Sequence, residues 1–182
     1  MLHAYLKRFT LFNLMAVALM AALGIAAKTV IVPLAHLITG PLFIPGGAVA
    51  GGIYMSFLVL AASITGIRGA AALCGLCQGI MVLAIGSPGS HGALSIVTYA
   101  LPGLAVDALY LLIRHRGCCL LCGVFGGMAA NLTGTLSVNL AFFNMPLVPL
   151  LLTLCAGALS GGLGGALAWS IAAQLKKYKV IS

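Results

Sequence analysis

The chain has 182 residues, of which 63% are hydrophobic and 5% charged, with a mean hydropathy of +1.22 and a formal net charge of +8. A soluble domain carries roughly 25% charged residues, so this composition excludes a water-covered globule; its apolar runs read as membrane-spanning helices, which satisfy their backbone hydrogen bonds internally. The length leaves no room for an ATPase or catalytic domain beside such a bundle. The basic residues sit in short patches between apolar segments, which excludes a nucleic-acid-binding face.

Met1 to Arg8 is a short basic segment. The apolar run from Phe9 is too long for a signal-peptide core and has no cleavage site after it, so it reads as a first transmembrane helix over 9–32. A loop from Pro33 to Pro45 holds three prolines, Gly40 and His36. Helix 2 is expected over 46–64, a turn at Arg68 follows, and helix 3 spans 69–85. The Gly86-Ser87-Pro88-Gly89-Ser90-His91-Gly92 segment is a break dense in turn residues. Helix 4 covers 93–113, Arg114-His115-Arg116-Gly117 forms a turn, and helix 5 covers 118–142. Asn144-Met145-Pro146 ends it, and helix 6 runs over 147–175. The fold class is therefore an all-α integral membrane protein, one domain over 1–182 built as a bundle of six transmembrane helices.

With the N-terminus in the cytoplasm, Lys7, Arg8, Arg68, Arg114, Arg116, Lys176, Lys177 and Lys179 all fall inside, and Lys28 alone lies near the outer face. This positive-inside pattern puts both termini in the cytoplasm. Five or seven spans would scatter the charges.

Small residues repeat along three helices: Ala18, Ala22 and Ala26 on helix 1; Gly47, Gly51 and Gly52 on helix 2; Gly157, Gly161, Gly162, Gly164 and Gly165 on helix 6. Such stripes let helix backbones approach closely in lipid. On helices 2 and 6 they are expected to pack the bundle. On helix 1 the stripe fits either internal packing or docking of another membrane subunit. The six cysteines include Cys74-x-x-Cys77 and the group Cys118, Cys119, Cys122. Cysteine within apolar helices behaves as a small hydrophobe, so packing is expected for all six and no intrinsic metal site.

In size, helix count, terminus placement and alanine stripe, the chain resembles the S components of energy-coupling factor (ECF) transporters. The likeness is carried by Gly40-Pro41, Arg68-Gly69-Ala70-Ala71, Gly86-Ser87-Pro88-Gly89 and Ala156-Gly157-Ala158-Leu159, and is nearest to the YkoE-like group, associated with thiamine or its hydroxymethylpyrimidine precursor. The resemblance implies a substrate-capture subunit in a bacterial plasma membrane, without its own ATPase. It would dock through Ala18, Ala22 and Ala26 on a transmembrane coupling subunit joined to two ATPases. Thiamine-type pockets in that family use acids inside the bundle; here Cys74, Gly75, Cys77 and Gln78 occupy the helix 3 stretch that would supply them. A cobalt importer of this type carries a histidine directly after the initiator methionine, where this chain has Leu2 and then His3.

An importer's pocket opens outward. The outer polar residues are Lys28, His36, Ser90, His91, Thr98, Tyr99, Asn139, Asn144 and Met145. Polar groups at membrane depth are costly and face cavities or partners. From these, Lys28, His36, Ser90, His91, Tyr99 and Asn139 are the candidate substrate-binding residues. His36 and His91, on a rim without acids, fit the iron of a haem-type tetrapyrrole, with Lys28 meeting an anionic group. A flat pyrimidine stacking on Tyr99 or Tyr54 is the alternative. Asp107, the chain's one acid, reads as a partner of Arg68 or Arg114, a contact to a coupling subunit, or a ligand group. An intramembrane protease would need paired aspartates or a serine and base on facing helices, and a channel a polar stripe through the bundle; neither is present.

Overall fold

The computed structural model describes residues 8–42, 45–86, 92–115 and 117–179. Every helix in it is made of residues that lipid accepts. α1 (Leu11–Thr39) starts where the Thr10 hydroxyl accepts a hydrogen bond from the Asn13 amide at 3.4 Å, and it ends in a short 3-10 turn, Gly40–Leu42. α2 (Gly46–Thr65) and α3 (Ala70–Ile85) follow. Each is terminated by a glycine at positive φ, Gly66 and Gly86, whose amide closes on the last turn at 2.9 and 3.1 Å. Only glycine enters that left-handed cap without penalty. α4 (Leu94–Leu112), α5 (Leu120–Val138) with a π-helical extension over Asn139–Phe143, and α6 (Leu147–Lys177) complete the six.

Five of these helices are long and apolar enough to cross a bilayer; α3, with 16 residues, is about 24 Å long at 1.5 Å per residue, short of the roughly 30 Å hydrocarbon core. Leu112, Leu140, Leu159 and Leu163 on the outside are largely exposed, as expected where lipid covers the surface. The chain is a multi-pass membrane protein. α2 is its central helix, with 14 of 20 residues buried. α1 is peripheral, with six of 29 buried.

Gly52, Gly161, Gly164 and Gly165 pack as their stripes predict, and Gly123 and Gly127 of α5, outside the predicted stripes, join them. A Cβ at Gly164 would strike the Gly52 carbonyl, one at Gly127 the Gly161 carbonyl, and one at Gly165 the Gly123 carbonyl. α2, α5 and α6 thus meet backbone to backbone. Asn131 of α5 fastens the junction, donating to Ala48 O at 2.9 Å and Gly157 O at 2.8 Å. Ser160 of α6 donates to Val49 O and accepts from Gly52 N–H at 3.0 Å. Gly47 differs from its predicted packing role: a Cβ there would meet only the Tyr54 hydroxyl, at 3.8 Å.

One boundary is corrected. α1 was expected to stop at Val32, with Pro33 opening a loop, but the helix runs through Pro33 to Thr39. Proline removes one backbone bond, a loss tolerated in membrane helices, and Pro33 is exposed. The consequence is functional, because it moves His36 from a loop onto the helix.

Candidate functional site

Because α1 continues, Lys28, Val32 and His36 fall four residues apart on one helical face. That face walls a cavity of about 190 Å³. Opposite stand Tyr54 and Met55 of α2, Thr98 and Tyr99 of α4, and Thr135, Val138 and Asn139 of α5. Phe143 and Met145 close the rim where the π-helical turn ends.

The polar groups are held by one another. The Lys28 ammonium donates to the Tyr99 hydroxyl. The Tyr54 hydroxyl donates to Gly47 O at 3.1 Å. The Gly46 amide donates to His36 Nδ1 at 3.3 Å, which places the proton of the neutral imidazole on Nε2 and makes that nitrogen a hydrogen-bond donor. The Asn139 side-chain oxygen accepts from Met145 N–H at 3.0 Å, and Asn144, in the left-handed region at φ 44°, returns its amide to Asn139 O at 2.9 Å. Asn139 therefore shapes the rim by bracing the turn after α5. The chain's single acid, Asp107, does not line this cavity.

Four of the six residues expected at the site, Lys28, His36, Tyr99 and Asn139, converge here. Ser90 and His91 lie outside the described residues. Met55, Thr135, Val138 and Phe143 line the cavity and were missed. A partial signal for Thr135 was present, since it lies four residues before Asn139 and so on the same helical face. In the docking stripe, Ala18 and Ala26 are exposed and Ala22 is half-buried.

At the opposite end, Asp107 accepts the Ala72 amide at 2.7 Å and faces the amides of Gly69 and Ala71. A carboxylate aimed at three free N–H groups caps the start of α3 and complements its dipole. Asp107 is thereby a helix cap supplied from a neighbouring helix, a role absent from the sequence-based alternatives. Nearby, His115 joins Cys118, Cys119 and Cys122. Cys118 is exposed, so packing does not account for it. Cys119 sits at the α5 N-cap, where hydrogen bonds from the Cys122 thiol and amide hold its own thiol below the ordinary value.

Residues 12–133 match the family described as "ABC-type cobalt transport system, permease component". A solved structure, described as the crystal structure of an S-component of an ECF transporter, superposes with a TM-score of 0.76 over 94% of this chain and 88% of that chain, at 19% sequence identity. This likeness establishes a common fold. No curated protein matches the chain.

Proposed function

The chain belongs to the family of permease components of ABC-type cobalt transport systems, and from that membership we propose that it is the membrane-embedded substrate-capture subunit of an ECF-type importer in a bacterial plasma membrane. Its partners on this reading are a transmembrane coupling subunit and two ATPases. The shared fold with an ECF S component supports the assignment. So does the position of the cavity, at the end of the bundle away from Arg68, Arg114 and Lys176, which the positive-inside rule makes the outer end.

The observation that carries the substrate reading is the acid-free, aromatic-walled cavity of about 190 Å³. A buried apolar cavity of about 150 Å³ accommodates benzene, so this space suits one substituted ring. A tetrapyrrole, with four rings in one plane, would stand mostly outside it. We therefore set the haem reading aside in favour of the flat pyrimidine. A bare divalent cation such as cobalt is also poorly served, since Lys28 stands in the cavity and no carboxylate or thiol lines it. Lys28 likewise disfavours cationic thiamine against its neutral hydroxymethylpyrimidine precursor. Tyr99 and Tyr54 would stack on the ring, and Thr98, Thr135 and His36 would bond its nitrogens and hydroxyl.

The test is calorimetric titration of the purified subunit with hydroxymethylpyrimidine, thiamine, haem and Co²⁺. Saturable binding of the neutral pyrimidine, weakened at least about tenfold by Tyr99→Leu, is the expected result. Haem or Co²⁺ binding that is lost on His36→Ala, with no pyrimidine binding, overturns the substrate assignment. Reconstitution without any ATP-dependent uptake when the coupling subunit and ATPases are supplied overturns the importer reading itself.

A further inference from the structure

The group formed by His115, Cys118, Cys119 and Cys122 stands apart from the substrate cavity, at the opposite end of α4 and α5. Its spacing, H-x2-C-C-x2-C, spans the turn between those helices and the first turn of α5. The four ligand-capable atoms, one imidazole nitrogen and three sulfurs, all lie within 4.8 Å of one another. His115 Nδ1 is 3.2 Å from Cys118 Sγ and 3.3 Å from Cys122 Sγ, and Cys119 Sγ is 2.9 Å from Cys122 Sγ. In a tetrahedral zinc site with Zn–S near 2.3 Å and Zn–N near 2.0 Å, neighbouring ligand atoms stand about 3.5–3.8 Å apart. Sub-ångström movements would bring this set to that geometry.

We propose that His115, Cys118, Cys119 and Cys122 form a Cys3His site for a zinc-type divalent cation that clips the α4–α5 turn to the start of α5. Three features carry it beyond a chance cluster. The donor set is one of the closed combinations that structural zinc sites use. The Cys122 amide already points at Cys119 Sγ, at 3.4 Å, the backbone N–H to sulfur contact that orients a thiolate ligand. Exposure grades from open His115 and Cys118 to buried Cys122, so an ion has a way in and a closed floor. On binding, each thiol releases one proton to solvent, and three thiolates, a neutral imidazole and M²⁺ sum to −1. Arg68 and Asp107 both line a small cleft with His115.

The proposal is independent of the substrate reading. Its test uses the full chain in nanodiscs, purified under reductant without metal, then titrated with Co²⁺ and with Zn²⁺. One equivalent of Co²⁺ should produce the visible d–d bands and thiolate charge-transfer absorption of a tetrahedral thiolate complex. Zn²⁺ should bleach them and raise the melting temperature. Cys118→Ser and His115→Ala, both at exposed positions, should each weaken Zn²⁺ binding at least about tenfold and abolish the melting shift. Cys155→Ser, an exposed cysteine on α6, should change neither. Octahedral Co²⁺ spectra without charge transfer, or loss of binding in Cys155→Ser equal to that in Cys118→Ser, would overturn the site.

Discussion

At the residue scale, one cation and one anion govern opposite ends of the bundle. Lys28 is the cation inside an acid-free cavity. Two like charges 4 Å apart repel by about 4 kcal/mol at an effective dielectric of 20. Lys28→Gln is therefore expected to raise affinity for cationic thiamine relative to the neutral pyrimidine by at least about tenfold, measured by competitive titration; an unchanged ratio would remove Lys28 from the specificity argument. Asp107 is the anion, and it serves α3. Asp107→Ala leaves the amides of Ala72 and its neighbours without their acceptor. The loss of such a cap costs about 1–2 kcal/mol, to be seen as a lower melting temperature in detergent. Pyrimidine affinity should be unaffected, since the cavity lies at the other end.

At the element scale, helix contacts decide which glycines matter. Gly127→Ala drives a Cβ into the backbone of Gly161 and Gly165, which cannot step aside, and overpacking of this kind costs about 1–3 kcal/mol. Gly162→Ala meets side-chain atoms of Met128 and Val124 at 3.4 and 3.5 Å, an ordinary contact. It should be neutral or stabilising by up to about 1 kcal/mol, because alanine is the better helix former. Thermal unfolding of the two variants side by side checks the contrast. The α1 stripe follows a different logic. Ala18 and Ala26 are exposed, so Ala18→Leu should spare folding and ligand binding while abolishing reconstituted uptake, by holding a partner helix away from α1. Normal uptake by Ala18→Leu would remove the docking role.

At the scale of the whole molecule, the proposed orientation places the cavity outside and the His115 turn inside. In a background lacking native cysteines, an impermeant thiol label should reach Ser90→Cys or Asn144→Cys in intact cells and leave His115→Cys unlabelled. The reverse pattern would invert the bundle and, with it, the direction in which the cavity captures substrate.

Sequence alone determined the membrane class, the six helices and most of their ends, because hydropathy and turn residues are local properties written into short windows. The Gly86 segment announced the end of α3, and the glycines of α6 announced close packing. Lys28, Tyr99 and Asn139 were legible as cavity-lining residues because polar groups in an apolar bundle need a cavity, and His36, expected in a loop, joins them on α1. Only the tertiary structure decided that α1 passes through Pro33, since neighbouring helices and lipid, rather than the local sequence, make a missing backbone bond tolerable. It alone decided the cavity's size, which depends on how far α1, α2, α4 and α5 stand apart. It also turned Asp107 into a cap for α3, a pairing between two helices far apart in sequence, and it folded the turn before α5 so that His115 meets three cysteines that share its short stretch of chain.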